Sequence, residues 1–439
     1  MDEQEAHIEQ TSRSIPRVEV PYYIRGLALG LPAYLIGIHL WTWLFLLPVF
    51  LGGRADFRQL YIGGYMLRTG HAHELYDYMA QKRFEDLLVS PAQVALPVNH
   101  LAYEELLFMP FSLMSYRTAY FAFLAFNLLL LAVSFHLLRP RMSNLARIFR
   151  WLPAAMYLSF LPVAAALMQG QDSIVLLALL SAALVSLDRR REFLAGILVA
   201  CCLFKFQIAL PIAFLFFTWR YWRFCVGFVF AAVTLISLSL WMVGIRQAVV
   251  YARSLLAMSV RLDSGVTQFI YGISPRMMIN LRGLIFGLAN AHLSNVWIQL
   301  ITLVTSSLLI VCVAIWCSRN QLPGDRFVLA IAASAVVSYH LFFPDLSIML
   351  IPIIVILDRF VMAEASDHRS ARPLVCASAL MFVAPVAKSY IPDHLYLAAL
   401  PLCSFLYVLM RHFRSKDGST IASSVANSGG VVQRCLRAE

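Results

Sequence analysis

Charge is scarce in this chain. Asp, Glu, Lys and Arg together make up 13% of its 439 residues, while 60% are hydrophobic. A water-soluble fold of this length could not cover so much apolar surface, whereas a bilayer solvates it directly. Strand-like alternation is also missing. The apolar residues come in continuous runs, which excludes a β-barrel, and open β-structure would leave backbone groups without partners in lipid. There is no Gly-rich phosphate loop, CxxC pair or Ser–His–Asp signature. Eight cysteines are present, but Cys201, Cys202, Cys225, Cys312, Cys317, Cys376 and Cys403 fall in or beside apolar runs. With neither zinc-ligand spacing nor a loop framework, they read as small core residues of helices. The leader carries Asp2, Glu3 and Glu5 and lacks the form of a cleaved signal, so the first apolar run reads as an uncleaved span.

Acid is scarcer than base, 24 residues against 35, for a formal charge of +11. That balance invites a nucleic-acid partner, but the placement of the arginines argues against one. Arg139, Arg141, Arg147 and Arg150, then Arg189 to Arg191, then Arg411 and Arg414 sit in short loops and a tail between apolar runs. Such clusters set membrane orientation and meet anionic lipid headgroups; a nucleic-acid groove would need them on one folded surface. The expected partners therefore include membrane lipids and no nucleic acid.

What is present is an all-α polytopic membrane helix bundle of about 11–12 spans by the count of apolar runs. Residues 1–25 form a cytoplasmic polar tail, 26–410 a membrane-embedded domain, and 411–439 a cytoplasmic basic, disordered tail. The loop 139–150 holds four arginines and no acid, so positive-inside bias places it in the cytoplasm. The acidic first loop, 52–105, then lies outside, as does a second long loop, 244–295. Two amphipathic stretches in the first loop, 57–69 and 77–89, predict short helices on the membrane surface. The run 193–219 is interrupted by Lys205-Phe-Gln207. Read as one span, it would put Arg220 and Arg223 outside; read as two short broken helices, it keeps them inside with Lys205 near the outer end. The second reading is favoured, since broken helices are tolerated beside a polar cavity.

This topology gathers the few strongly polar residues on the outer side. Asp56 lies just beyond the first span, where partial burial would raise a carboxylate's proton affinity toward that of a general base. Asp before Phe57-Arg-Gln-Leu-Tyr61 is good helix-capping chemistry, and from position alone capping is the commoner job for such a residue. Lys205 is either a functional cation in an apolar run or a snorkelling one. His340 and Asp345 flank an outer turn where they could bind sugar hydroxyls, although Pro344-Asp345 could simply start a helix. Arg282, in Asn280-Leu-Arg-Gly283, could clamp a phosphate or be a solvated residue at a helix break. His71-Ala-His73-Glu74 has the letters of a metal site, but i and i+2 face opposite sides of a helix and the flanking Gly70 and Asp77 suggest a turn. No metal or cofactor is expected.

Taken in order, several segments resemble the membrane-embedded glycosyltransferases of family 87, among them polyprenyl-phosphate-mannose-dependent α-mannosyltransferases. These are Asp56-Phe57 with Tyr61, Gly70 through Leu75-Tyr-Asp77, Asn99-His-Leu-Ala-Tyr103, Phe108-Met-Pro110 and Tyr116-Arg-Thr-Ala119. They continue with Gly170-Gln-Asp-Ser173, Ala195-Gly196 to Lys205-Phe-Gln207, Met278-Ile-Asn-Leu-Arg-Gly283, and Tyr339-His340 to Asp345-Leu-Ser. Phe206 after the lysine and Phe343-Pro344 before the acid depart from the family's pattern. The resemblance implies a GT-C-type bundle in the plasma (inner) membrane, with an extracytoplasmic active site. It also implies a polyprenyl-phosphate-linked sugar donor, with mannose as the sugar, and a lipid or glycan acceptor. Asp56 would be the general base of an inverting displacement, Arg282 and Lys205 would bind the donor phosphate, and His340, Asp345, Gln171 and Tyr103 would bind substrate. A transporter has a similar span count, but it usually shows internal repeats and midplane ionisable residues, and neither emerges here. A lipid-binding scaffold without catalysis would not need these residues on one side.

Overall fold

The computed structural model describes residues 22–91, 95–260, 275–316, 321–361, 365–383 and 392–413. Residues 1–21 of the tail expected at 1–25, residues 414–439 of the tail expected at 411–439, the centre of the second long loop and most of the turn 388–394 lie outside the described residues. Among those described there is no β-strand. Six helices are long and apolar enough to cross a bilayer, and Leu152–Ser159 with Leu161–Gln169, bent by 55°, makes seven if taken as one span. The chain is a multi-pass membrane protein. Other apolar runs counted in the sequence fold as shorter helices, among them Ser173–Asp188 and Pro323–Val337, which bury most of their residues.

We number the helices α1 (Tyr22–Val49), α2 (Phe57–Arg68), α3 (Tyr78–Leu88), α4 (Tyr116–Leu138), α5 (Leu152–Ser159) and α6 (Leu161–Gln169). There follow α7 (Ser173–Asp188), α8 (Glu192–Ala200), α9 (Phe206–Thr218), α10 (Trp222–Val260), α11 (Leu281–Ala289) and α12 (Asn295–Trp316). The last are α13 (Pro323–Val337), α14 (Leu350–Val361), α15 (Ala365–Val383) and α16 (His394–Phe413). Helix α1 is the least embraced: Trp41 and Phe45 are each 73% exposed, as expected of side chains that face lipid. By contrast α13 buries most of its residues, from Phe327 through Val336.

Two ends of the bundle separate chemically. At one, Arg141 Nε donates to Asp188 Oδ2 (2.7 Å), and Asp358 accepts from the backbone N–H groups of Asn144 (2.8 Å) and Leu145 (2.9 Å). Arg359 pairs there with Asp325, and the Trp219 indole donates to the carbonyl of Ala314 (3.1 Å). The loops expected on the arginine-rich side thus meet at one end. Helix α7 runs from Asp188 at that end to Asp172 at the other, about 24 Å away at 1.5 Å per residue.

Residues 192–218 are long enough to cross as one span, yet they do not run straight. A straight helix would separate its ends by about 40 Å. Instead a Cβ on Gly196 would strike the carbonyl of Phe224, and one on Gly227 the carbonyl of Phe193. The start of α8 therefore lies beside the start of α10, which opens only four residues after α9 ends. Helix α9 doubles back. The reversal is a 3-10 turn, Cys201–Lys205, closed by non-helical backbone at Lys205 (φ −110°, ψ 60°). It forms without a proline at 206. Tyr103 stands in for lost helical bonds: its hydroxyl donates to Cys201 O (3.1 Å) and accepts from Phe204 N–H (2.7 Å).

Because α8 and α10 touch backbone to backbone, Gly227→Val should lower the melting temperature in detergent. The expected cost is about 2 kcal/mol or more, typical of overpacking. Val229→Ala, on an exposed position of the same helix, should leave melting unchanged. Equal melting of all three proteins would disprove the close approach.

Both amphipathic stretches of the first long loop are helices, α2 and α3. Asp77 caps α3 by accepting from Met79 N (2.8 Å) and Ala80 N (3.1 Å). Helix α2 is more enclosed than a surface helix, burying Phe57, Leu60, Tyr61, Ile62 and Met66. Phe57 stacks on Phe123 at 5.1 Å between centroids. The buried Arg58 ties this loop together, reaching Glu85 (2.6 Å), Gly53 O (3.3 Å) and Ser90 O (3.1 Å).

Candidate active site

The end of the bundle opposite the arginine-rich loops contains a cavity of about 340 Å³. Asp56, Gln171, Lys205, His340 and Asp345 all line it, although up to 289 positions separate them in the chain. Asp56 occupies the N-cap position of α2 yet makes no side-chain capping bond. Its carboxylate instead accepts from the Gln171 amide. Gln171 is held there by Gly170, which ends α6 in the left-handed conformation (φ 60°) and whose missing side chain leaves room for Phe57. Any other residue at 170 would be strained and would push on the helix that carries Asp56.

Lys205 is buried at the turn between α8 and α9, so its ammonium must find partners inside the protein. It lies 3.1 Å from Asp172 Oδ1 and 3.3 Å from Asp345 Oδ1. Asp345 also accepts from Ser173 Oγ (2.7 Å) and Phe342 N (3.3 Å). Lys205 is thus a paired interior cation facing the cavity, not a snorkelling one.

His340 lies in the loop after α13. Burial, reinforced by the charges of Arg282 and Lys205, pushes its pKa down to about 3, so it is neutral at physiological pH. Arg282 Nη1 approaches His340 Nδ1 at 3.4 Å. Since a guanidinium can only donate, Nδ1 accepts and Nε2 carries the proton. A neutral imidazole has no charge to lose between about pH 5 and 8, where an ordinary histidine titrates. His340→Gln should therefore reduce turnover without changing the shape of its pH profile, measured as kcat from pH 5 to 8. Loss of an inflection in the variant would refute the assignment.

Arg282 itself does not line the cavity. Its guanidinium lies 3.6 Å from the centroid of the Tyr339 ring, and Nη1 donates to Tyr339 O at 2.8 Å. Burial lowers its pKa to about 10, which leaves it charged. Asn280 caps α11 by accepting from Gly283 N (3.1 Å), so this segment is a built helix start that backs the His340 loop. Tyr103 is likewise absent from the cavity wall, its hydroxyl being engaged by the turn at Cys201–Phe204. Of the residues expected to gather, five line the cavity and these two support it from behind.

Sequence reasoning passed over a second layer. His100 lines the cavity, with Nδ1 2.5 Å from Glu104 Oε2 and 3.4 Å from Asp172 Oδ2. The i, i+4 spacing of His100 and Glu104 was the available signal, but their proximity to Asp172 could not be read. Burial would lower the His100 pKa, yet Glu104 and Asp172 together raise it. Burial pushes Glu104 up to about 7 against the pull of His100, while Lys205 and His100 outweigh burial and lower Asp172.

One atom from each of His100, Glu104 and Asp172 falls within 4.8 Å of the others, which prompts the question of a metal. Ligands at about 2.0–2.2 Å from one ion stand roughly 3 Å or more apart. The 2.5 Å between His100 and Glu104 is instead the spacing of a donor and its acceptor, and the other oxygen of Asp172 is committed to Lys205. The cluster is an internal ion-pair network. His71, His73 and Glu74 sit in and beside a short 3-10 turn, where Glu74 pairs with His71 (3.4 Å) and Arg83 (3.5 Å).

The arrangement offers a carboxylate held by an amide, a charged ammonium and a neutral imidazole around one cavity in an apolar bundle. Comparison with known proteins is consistent with that chemistry. The family model of glycosyltransferase family 87 matches residues 105–344, more than half of the chain. No curated protein and no solved structure matches it significantly. Asp56 and His100 precede the matched region, so their placement in the site rests on the geometry.

Proposed function

The chain belongs to glycosyltransferase family 87 and is a membrane glycosyltransferase; from that premise we propose that it moves a sugar from a polyprenyl-phosphate donor to a hydroxyl of a lipid or glycan acceptor. The observation that carries this reading is the position of Asp56, whose carboxylate lines the same cavity as Lys205 instead of capping its own helix. In a single displacement, Asp56 takes the proton of the acceptor hydroxyl as that oxygen attacks the anomeric carbon. The bond from that carbon to the phosphate oxygen breaks, and polyprenyl phosphate leaves with the bonding electrons. Inversion of a β-linked mannosyl donor yields an α-linked product.

Negative charge grows on the departing phosphate, so cations fixed in advance act most strongly in the transition state. Lys205 supplies one directly. Arg282 acts through His340, whose Nε2–H is free to donate to substrate, and Asp345 and Gln171 orient the groups around them. Positive-inside bias assigns the arginine-rich end to the cytoplasm, together with both termini, and the cavity to the extracytoplasmic face of the plasma membrane. Residues 26–410 then form the catalytic domain between two cytoplasmic tails.

The test is transfer of labelled mannose from polyprenyl-phosphate-mannose into lipid and glycan extracts by the purified protein, run beside glucosyl and arabinosyl donors on the same carrier. Label appearing from one donor identifies the sugar. Inertness with every polyprenyl-phosphate sugar would reject this donor class.

A further inference from the structure

The proposed reaction leaves one buried group at the cavity wall without a task. His100 contributes a ring to the cavity, while its Nδ1 is turned inward onto two carboxylates, Glu104 at 2.5 Å and Asp172 at 3.4 Å. Both are almost wholly buried, with relative exposures of 4% and 2%. An imidazole gripped in this way has a fixed ring plane and a fixed donor on Nδ1. The nitrogen left for the cavity is Nε2, which has no partner among the described residues. Asp172 divides its oxygens, Oδ2 toward His100 and Oδ1 toward Lys205 at 3.1 Å. One carboxylate therefore holds two cationic groups side by side at the cavity that Asp56 also lines.

We propose that His100 is a second phosphate-binding cation of this site, presenting Nε2–H to the lipid phosphate beside Lys205 while Glu104 and Asp172 hold its ring. This rests on the lipid-phosphate donor reading above. The charges facing His100 come from three segments: Glu104 from its own, Asp172 from the start of α7 and Lys205 from the turn before α9. The two carboxylates outweigh the ammonium and hold the imidazolium to higher pH than an ordinary histidine. No proton is transferred in this role. The imidazolium donates one charge-assisted hydrogen bond, stronger once the phosphate has gained the charge of the broken bond.

Farnesyl phosphate is a suitable probe, with farnesol as the control that lacks the phosphate. Binding of each to full-length protein in detergent is measured for wild type, His100→Ala, His100→Gln and Glu104→Gln, with melting temperature checked for each. His100→Ala should weaken farnesyl phosphate by about tenfold to a hundredfold, the loss expected for a hydrogen bond to a charged group. Farnesol binding should be unchanged. His100→Gln, a neutral donor, should fall between. The affinity of wild type should drop as pH rises above the His100 titration, a drop missing from His100→Gln and moved to lower pH in Glu104→Gln. A purely structural histidine would not produce that shift.

Equal affinity of wild type and both His100 variants would overturn the assignment while leaving the donor reading intact. If wild type binds farnesyl phosphate no better than farnesol, the donor reading itself falls, and this proposal with it. A divalent ion held by purified wild type and released on His100→Gln would also overturn it, since Nδ1 would then be a ligand. Should His100→Ala fail to fold, His100→Gln and the pH dependence of wild type decide the matter.

Discussion

Asp56→Asn should reduce sugar transfer by about 10³-fold, within the range a positioned general base supplies, and should leave the melting temperature nearly unchanged. The two halves follow from different observations. The carboxylate lies at the wall of the cavity, and in the proposed reaction an amide in its place cannot take the acceptor's proton. Yet Asp56 caps no helix, and Asn can still accept the hydrogen bond that Gln171 donates. Substitutions that break neither packing nor a buried pair usually stay within about 0.5 kcal/mol. Asp56→Glu is the informative companion: it keeps the chemistry but moves the oxygens by one methylene, and should recover only a small part of the rate. Full activity in Asp56→Asn would remove this residue from the reaction and turn attention to Asp345. A large fall in melting temperature would mean that the carboxylate holds the loop together.

The second large effect is expected at Lys205. Lys205→Met removes the ammonium that lies between Asp172 and Asp345, leaving two buried carboxylates short of a partner. Breaking a buried ion pair from one side costs about 3–5 kcal/mol, so this variant should both melt early and lose transfer. The double variant Lys205→Met with Asp345→Asn separates the two effects. It removes one of the stranded charges while Asp172 keeps His100, and should regain much of the stability. Transfer should stay lost, because no ammonium faces the leaving phosphate. Recovery of both stability and transfer would show that Lys205 serves the fold alone. Lys205→Arg is not a neutral control, since a planar guanidinium cannot occupy the point between two carboxylates as an ammonium does.

The site is assembled from segments whose own local structure is unremarkable, and this explains which parts of it could be read in advance. Asp56 could be placed from the topology at the end away from the arginine-rich loops, but from position alone capping was the commoner role for such a residue. Capping was set aside only by Gln171, brought against the carboxylate by the left-handed turn at Gly170. Lys205 in an apolar run marked itself, because an ionisable side chain in such surroundings requires partners. Which partners it has, Asp172 and Asp345, depended on two other helices starting at the same level. His100 carried only its i, i+4 spacing to Glu104, and nothing local placed Asp172 beside the pair. Arg282 and Tyr103 were grouped with the site by the resemblance, and both stand behind the cavity wall.

By itself the sequence determined the class of solvent and the helical class, because those depend on quantities summed along the chain, and it carried the family in an ordered set of motifs. Long apolar runs select a bilayer, backbone pairing in lipid selects helices, and short arginine clusters sort the loops into two groups. It also determined the two helices of the first long loop, through periodicity that needs no partner. Only the tertiary structure decided that residues 192–218 turn back on themselves. A run of apolar residues is compatible with one long helix or two short ones, and the choice lies in the contacts Gly196 and Gly227 permit with α10 and α8. The same holds for the site. Whether a carboxylate caps a helix or faces a cavity, and whether a lysine snorkels or pairs, depends on side chains 33 to 140 positions away in the chain, which no local pattern encodes.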